Sequence, residues 1–256
     1  MPVEIVNADG NGDVVLICEH SGKLIPRALD GLGLDPEVRS SHVAWDPGAE
    51  PVARQMAALL DAPLVLQRFS RLVYDCNRPP DAESAIPARS EVFDIPGNAA
   101  LTAAERRLRT DALYRPFRKD VAALLDRRTQ QGKASAVVTI HSFTPVYFGK
   151  PREVELGFLH DTDSALADAM LVAASAWLDL TVRRNQPYGP EDGVTHTLQV
   201  DGIARGLPNV MIEIRNDLIQ TPDQQAVIAA RLAELVGISL TRLPMNQGLR
   251  GYGTAG

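Results

Sequence analysis

Two histidines follow apolar runs of the chain that are rich in β-branched residues. His20 comes directly after residues 14–19, and His141 follows residues 136–140. Short runs of this kind predict strands that are buried on both faces, as in the parallel sheet of an α/β protein. In open α/β sheets, ligands bind beyond the carboxyl ends of the strands. Because imidazole is the commonest metal ligand, the two histidines predict a metal site at this edge of the sheet.

Asp46 is the candidate for a third ligand. It lies in His-Val-Ala-Trp-Asp-Pro-Gly-Ala, residues 42–49, directly before a predicted helix. An aspartate at that position is expected either to cap the helix or to bind the metal. His42 and Glu19 are the alternatives for the same coordination position. A catalytic zinc site takes three protein ligands with nitrogen or oxygen donors and leaves one position for water. Two histidines and Asp46 would meet that requirement.

Glu213 is a charged residue inside the apolar run Val-Met-Ile-Glu-Ile, residues 210–214. Burying a carboxylate is costly unless it is paired, hydrogen-bonded or close to a metal. One interpretation is a buried ion pair with Arg215 or another arginine. The other is a general base beside the metal, whose pKa burial raises. Further polar residues in or after predicted strands are Glu19, Asp75, Asn77 and Arg78.

Composition narrows the class of protein. The 256 residues contain 26 Lys and Arg against 32 Asp and Glu, a formal net charge of −6, and no basic stripe that would favour nucleic-acid binding. No apolar run approaches the roughly 18 residues that cross a bilayer. Cys18 and Cys76 lie in apolar runs and are expected to be buried free thiols. With no signal-peptide pattern at the N-terminus, we expect a cytoplasmic protein that binds neither nucleic acid nor membrane, in an unknown oligomeric state.

The elements that must position these residues alternate between strand and helix. This alternation predicts one α/β domain over residues 1–256, a three-layer α/β/α sandwich with a mixed, mostly parallel sheet. A long loop is expected over 79–100, and Pro116 should kink the longest helix or split it in two. The predicted strands are 13–19, 64–66, 72–74, 136–141, 154–159 and 210–214. The predicted helices are a short one near 26–40 that follows a loop, then 48–61, 102–131, 162–178 and one beginning at Thr221.

Five segments, in order along nearly the whole chain, resemble the N-formylglutamate amidohydrolase family. The resemblance implies a zinc-peptidase-like α/β/α fold, related to the zinc carboxypeptidases and to aspartoacylase-type deacylases. One departure from the carboxypeptidase pattern is Lys23, which stands where a glutamate ligand would follow His20. The segments are Glu-His-Ser-Gly (19–22), His-Val-Ala-Trp-Asp-Pro-Gly-Ala (42–49), Ser-Arg-Leu-Val-Tyr-Asp-Cys-Asn-Arg-Pro-Pro (70–80), His-Ser-Phe-Thr-Pro (141–145) and Ile-Glu-Ile-Arg-Asn-Asp-Leu-Ile (212–219).

The resemblance also implies roles for individual residues. One divalent metal per chain, zinc or another divalent ion, would activate a water molecule, whose proton Glu213 takes and passes to the leaving amine. Arg71 would help to stabilise the oxyanion, while Arg78 and Asn77 bind a substrate carboxylate. Arg215 would bind a second carboxylate or hold Glu213. The implied metal ligands are His20, Asp46 and His141.

The function that follows is a metal-dependent amidohydrolase of amino-acid catabolism, acting on a small anionic N-acyl amino acid. N-formyl-L-glutamate, cleaved to formate and L-glutamate, is the leading substrate. The alternatives are a zinc carboxypeptidase-like enzyme with another substrate and a non-catalytic binding or regulatory protein on the same fold. Arg71 and Arg78 could instead pair with Asp75 and Asp81 in a structural turn. Three residues receive no role: His160 and His196 are expected in exposed loops, and Tyr188 in a packed turn or a lid.

Overall fold

The computed structural model describes residues 1–177 and 179–243. Leu178, the last residue of the helix predicted over 162–178, and residues 244–256 of the predicted domain lie outside that range. The strands are β1 Val3–Val6, β2 Val14–Cys18, β3 Leu64–Gln67, β4 Arg89–Ser90, β5 Phe93–Asp94, β6 Ala136–Phe143, β7 Val146–Tyr147, β8 Lys150–Pro151, β9 Leu156–Leu159, β10 Val182–Arg184 and β11 Asn209–Arg215. The α-helices are α1 Pro36–Ser40, α2 Ala49–Leu59, α3 Ala103–Arg109, α4 Arg115–Gln130, α5 Ala165–Ala174 and α6 Pro222–Arg242.

Seven strands form the central sheet, in the order β1-β3-β2-β6-β11-β9-β10. The pairs β3–β2, β2–β6, β6–β11 and β9–β10 are parallel. The pairs β1–β3 and β11–β9 are antiparallel. The sheet is therefore mixed and mostly parallel, which confirms the predicted α/β class.

Helices and loops cover both faces of this sheet. On one face, α2, α5 and α6 pack against alternate residues of the strands in a core that includes Leu16, Met56 and Phe158. On the other face, α4 packs through Phe117 and Val121 against the opposite side chains of β2, β3 and β6. Every residue of β2 and β6 is buried, as their continuous apolar runs predict. Cys18 and Cys76 are buried free thiols, as expected.

The three central parallel strands determine where the polar residues meet. β2, β6 and β11 are neighbours and run in the same direction, so their carboxyl ends lie at one edge of the sheet. In the register of β6 and β11, His141 lies opposite Glu213. The prediction that His20, His141 and Glu213 share an edge is confirmed by this topology.

The longest predicted helix is interrupted one turn before Pro116. It begins with the predicted capping box, in which Thr102 and Glu105 exchange side-chain and backbone hydrogen bonds. A wide turn over Thr110–Tyr114, with π-helical hydrogen bonding, then separates α3 from α4. Proline lacks an N–H group, and its ring clashes with the carbonyl four residues earlier, so a regular helical turn is disfavoured there.

The strand predicted over 72–74 is wrong, since these residues form a buried turn. The Ser70 hydroxyl accepts a hydrogen bond from the Leu72 amide at 3.1 Å, and the Val73 amide donates to the Ser70 carbonyl at 2.9 Å. The apolar pattern reflected burial, and the serine selected a turn. Two short strands at the ends of the sheet, β1 and β10, were not predicted from the sequence. Among the described residues, no helix has both the length and the apolar character to cross a membrane.

Candidate active site

Three buried side chains converge at the carboxyl edge of β2 and β6. The Nδ1 atom of His141 lies 3.2 Å from Nδ1 of His20 and 3.0 Å from Oδ2 of Asp46. Nδ1 of His20 lies 3.4 Å from the same Asp46 oxygen. Two ring nitrogens and one carboxylate oxygen therefore face a common point, with all ligand atoms within 4.8 Å of one another. This is a donor set that suits a divalent transition metal.

Local backbone contacts direct Asp46 to this point. Its amide donates to the His20 carbonyl at 2.9 Å, and its Oδ2 atom accepts from the Ser142 amide at 3.2 Å. The residue at the N-cap of α2 is Gly48, and no side-chain hydrogen bond caps that helix. The interpretation of Asp46 as a helix cap is therefore wrong, and its side chain faces the two histidines instead.

Each histidine has a carboxylate behind the ring nitrogen that does not face the cluster. His20 Nε2 lies 2.7 Å from Oδ1 of Asp75, in a well-formed hydrogen bond. His141 Nε2 lies 3.1 Å from Oε2 of Glu19, although this contact lacks the alignment of a hydrogen bond. Carboxylates in such positions fix the orientation of a ligating imidazole and raise its basicity. Glu19 thus contacts the outer nitrogen of His141.

His42, the other alternative ligand, also lies outside the cluster. Its Nε2 atom is 2.7 Å from Oε2 of Glu91, and both residues line the wall of the cavity described below. Among the described residues, the compact group of donor atoms at this edge consists of His20, Asp46 and His141.

Buried charges around the cluster shift its protonation equilibria. Burial alone would raise the pKa of Asp46, but the charges and hydrogen bonds of His20 and His141 lower it well below its usual range. Burial would lower the pKa of His141, but Glu19 and Asp46 raise it. For His20, burial and Arg71 oppose protonation, and the carboxylates of Asp75 and Asp46 outweigh them, so its pKa is also raised. The site therefore attracts positive charge.

Glu213 lies beside this cluster and forms no ion pair with the residues that the structure describes. Its side chain is buried, and its Oε2 atom has no hydrogen-bond partner within the described parts of the chain. Burial, opposed by the charge of His141, raises its pKa to about 7. The alternative of an ion pair with Arg215 is wrong, because Arg215 pairs with Glu155 at 3.0 Å and with Asp217 at 2.8 Å.

The three cluster residues and Glu213 line a cavity of about 310 Å³. Arg71 and Arg78 lie on its wall, but their surroundings differ. Arg71 is held by Asp75 at 2.9 Å and by Asp46 at 3.4 Å. Arg78 donates to the Asn77 carbonyl at 3.0 Å, and it forms no ion pair with the carboxylates that the structure describes. The pairing of Arg71 with Asp75 matches the structural alternative, whereas Arg78 remains available to an anion.

Two predicted substrate-binding residues are placed differently from Arg78. Asn77 lines the cavity, but its amide nitrogen donates to the Val194 carbonyl at 2.6 Å and its amide oxygen accepts from the Thr197 amide at 2.9 Å. Its polar atoms thus secure the segment across the cavity. Arg215 is not among the residues lining the cavity, because its contacts with Glu155 and Asp217 hold it elsewhere.

The sequence predicted no role for His160, His196 or Tyr188, and the structure places the three residues in different surroundings. His196 is buried, and its Nε2 atom lies 2.8 Å from the Tyr114 hydroxyl, so the expectation of an exposed loop residue is wrong. Burial, supported by Arg118, lowers the pKa of His196 to about 4. His160 is half-buried and lies outside the cavity. Tyr188 lies on the cavity wall, a position that its Gly/Pro-rich turn suggested only as an alternative.

The matches to known proteins agree with this geometry. Residues 12–220 match the family model described as N-formylglutamate amidohydrolase. The chain belongs to the N-formylglutamate amidohydrolase family. This confirms the family resemblance seen in the sequence, and it places the chain among amidohydrolases, whose substrates are small molecules.

Two solved structures extend the comparison. The chain is similar to a gene product of Agrobacterium tumefaciens, with 57% identity, a TM-score of 0.92, and coverage of 94% of this chain and 95% of the other. It is also similar in fold to an N-formylglutamate amidohydrolase from Ralstonia eutropha JMP134, with 20% identity, a TM-score of 0.67, and coverage of 92% and 98%. Among curated proteins, none matches the sequence significantly.

Proposed function

We propose that this protein is a metal-dependent hydrolase that cleaves the amide bond of an N-acyl amino acid, with N-formyl-L-glutamate as the substrate and formate and L-glutamate as the products. The observation that carries the proposal is the cluster of His20, Asp46 and His141 beside the buried, unpartnered Glu213. Family membership supports the same reaction class. We further propose that residues 1–256 act as one catalytic domain, and that the protein works in the cytoplasm, where its free thiols persist.

The donor set fits one zinc ion. His20, Asp46 and His141 would hold it through two nitrogens and one oxygen, the composition of many catalytic zinc sites. Asp75 and Glu19 support the fit, because they lie behind the outer nitrogens of the two histidines. When bound, zinc polarises a carbonyl group and lowers the pKa of a water molecule to about 7.

Glu213 supplies the proton transfer. A carboxylate whose pKa is about 7 can accept a proton from the attacking water and return it to the leaving amine nitrogen at neutral pH. Its free Oε2 atom is compatible with that role, since no residue of the described chain competes for the proton. The base therefore needs no rearrangement of an existing ion pair before it acts.

Arg78 and Arg71 act on the anionic parts of the substrate. Arg78, which has no carboxylate partner in the described chain, binds a substrate carboxylate through its planar guanidinium. Arg71 is shared by Asp46 and Asp75, so it orients one metal ligand and the carboxylate that lies behind His20. It also adds positive charge to the cavity in which the carbonyl oxygen becomes negative.

The test combines metal analysis with a substrate panel. The purified protein should hold about one zinc per chain and release formate from N-formyl-L-glutamate faster than from N-formyl-L-glutamine or N-acetyl-L-glutamate. His20→Ala and His141→Ala should lower the metal content well below that of the wild type, and Asp46→Ala tests the carboxylate ligand separately. His160→Ala is the matched control, because His160 lies outside the cavity. Full metal content in both histidine variants would show that the site is misassigned.

A further inference from the structure

Tyr188 reaches the catalytic cavity because a glycine opposes Glu213 in the sheet. Gly157 of β9 pairs with Glu213 of β11 in the antiparallel register. A Cβ atom at Gly157 would lie only 1.9 Å from the carbonyl oxygen of Gln186, so the segment leading to Tyr188 packs directly on β9. The Asn185 amide adds a hydrogen bond to the Phe158 carbonyl at 3.1 Å. This packing places the Tyr188 ring on the cavity wall near Glu213.

Arg152 fixes the direction in which the Tyr188 hydroxyl can donate. Its Nη2 atom donates to the phenolic oxygen at 3.0 Å, and its Nη1 atom donates to the Thr144 carbonyl at 3.3 Å. Its guanidinium also lies 4.4 Å from the centre of the Tyr147 ring. Within the described chain, the Tyr188 hydroxyl has no acceptor of its own. With its oxygen engaged by Arg152, the O–H group is left to donate to a molecule in the cavity.

The phenol also keeps its proton at neutral pH. Burial and the nearby charge of Glu213 raise the pKa of Tyr188 to about 12. The hydroxyl is therefore a neutral donor, which suits the stabilisation of a developing negative charge. Arg71, the other donor near this part of the wall, is already engaged by two carboxylates.

We propose that Tyr188 is a catalytic residue whose hydroxyl donates a hydrogen bond to the scissile carbonyl oxygen as that oxygen becomes negative, and that Arg152 is its positioning residue. The inference rests on the function proposed above. Tyr188 keeps its proton throughout, so Glu213 alone carries the proton from water to the amine. The hydroxyl then acts mainly after the carbonyl is attacked, and its contribution belongs to kcat rather than to substrate binding.

Steady-state kinetics of Tyr188→Phe with N-formyl-L-glutamate test this role. Removing one donor to an oxyanion typically lowers kcat by about 10²–10³-fold, and KM should change by less than about threefold if the ground state is untouched. Tyr147→Phe is the matched control, because Tyr147 lines the same cavity and also stacks on Arg152. Arg152→Met should lower kcat as well, and Arg152→Lys should restore part of it. A raised KM with unchanged kcat in Tyr188→Phe would overturn the assignment.

Equilibrium binding gives a second measurement that does not depend on turnover. The probe is N-phosphoryl-L-glutamate, in which a tetrahedral phosphorus replaces the carbonyl carbon, and the comparison ligand is L-glutamate. Tyr188→Phe should weaken binding of the phosphoryl compound and leave binding of L-glutamate unchanged. Equal affinities in wild type and variant would refute the inference. If the wild type releases formate but Tyr188→Phe keeps its kcat, this inference alone fails. If the wild type neither cleaves N-formyl amino acids nor binds the probe, the proposed function fails with it.

Discussion

At the amino edge of β2 and β6, a buried arginine donates hydrogen bonds to four acceptors. Arg128 is only 2% exposed. Its guanidinium donates to the carbonyls of Gly10, Gly12 and Ala134 and to the Ser135 hydroxyl. These acceptors lie in the two segments that lead into β2 and β6. The arginine thus ties together the starts of the two central strands, and it has no carboxylate partner among the residues that the structure describes.

At the carboxyl edge of the same strands, a buried carboxylate and a half-buried guanidinium are left without charged partners in the described residues. The Oε2 atom of Glu213 has no partner within the described chain, and Arg78 has no carboxylate. An unpaired buried charge destabilises a fold, so it persists where a ligand or a reaction uses it. The two edges differ in how many of their polar side-chain groups have hydrogen-bond or ion-pair partners. The amino edge is built to hold the fold, and the carboxyl edge retains groups for a bound molecule.

The largest effect expected from this contrast is at Glu213. Glu213→Gln preserves the shape of the side chain but cannot accept a proton, so kcat should fall by about 10²–10⁴-fold. Metal content should stay at the wild-type level, because Glu213 is outside the group of ligand atoms. Glu155→Gln is the control, since Glu155 pairs with Arg215 outside the cavity. Near wild-type turnover of Glu213→Gln would assign this carboxylate to the structure and move the base role to Glu19.

At the opposite edge, Arg128→Met should reduce stability and leave chemistry intact. The substitution removes hydrogen bonds from a charged donor and leaves buried carbonyls unsatisfied, so the free energy of unfolding should fall by about 3 kcal/mol or more. Urea denaturation measures this loss. Arg107→Met removes the same charge from an exposed position on α3 and should cost less than about 1 kcal/mol. An Arg128→Met protein of wild-type stability would contradict the structural assignment of the amino edge.

The contrast also explains which features the sequence could predict. Continuous apolar runs predicted β2, β6 and β11 because both faces of these strands are buried. Parallel neighbours bring their carboxyl ends together, so the convergence of His20, His141 and Glu213 followed from the strand predictions alone. The site was predictable to the extent that it depends on strand direction.

Contacts between distant loops could not be predicted from strand direction. Asp75 and His20 are 55 positions apart, and no periodicity joins the turn at 70–76 to the end of β2. The same limit applies to Asn77, whose amide bonds to residues 194 and 197, and to Arg215, which neighbouring carboxylates draw away from the cavity. Side chains at loop positions take partners that the tertiary fold selects.

In metal-free protein, the buried Glu213 at the carboxyl edge should make the free energy of unfolding depend on pH. Burial raises the pKa of Glu213 to about 7 from 4.5, so the folded state holds this proton more tightly than the unfolded state does. The stabilisation is complete below pH 4.5 and is lost as the pH rises through 7. Glu213→Gln removes this dependence. Between pH 5 and pH 8 the variant should gain up to about 3 kcal/mol relative to wild type, since each tenfold difference in proton affinity is worth about 1.4 kcal/mol.

The measurement is urea unfolding of both proteins in a metal chelator at several pH values. The difference between the two curves reports the charge of Glu213 together with its interaction with His141 and His20. If the difference is independent of pH, the carboxylate is not held in an unfavourable charged form, and the description of this edge as unsatisfied is wrong.

The Arg78→Ala substitution tests whether the unpaired guanidinium of Arg78 binds the substrate. Arg78→Ala should weaken the binding of N-formyl-L-glutamate by about 1.5–3 kcal/mol, the range for a hydrogen bond to a charged group. The effect should appear mainly in KM. Arg215→Ala is the matched control, because its guanidinium is engaged by Glu155 and Asp217 outside the cavity. Equal effects of the two substitutions on KM would remove the special role of Arg78.

The smallest expected effect is at Asp75, which has one partner in the fold and one in the metal cluster. Asp75 is a buried carboxylate that is satisfied by Arg71, yet it also orients a ligand of the unsatisfied cluster through His20. Asp75→Asn keeps the size of the side chain and removes its charge, so His20 becomes less basic. Loss of such a partner typically lowers metal affinity by about 10–100-fold. Competition with a chromogenic zinc chelator measures the affinity. Asp201→Asn is the control, because Asp201 is another buried carboxylate paired with an arginine, Arg118, and it has no histidine partner in the described chain. A wild-type zinc affinity in Asp75→Asn would mean that Asp75 serves the fold through Arg71 alone, as Arg128 does at the other edge.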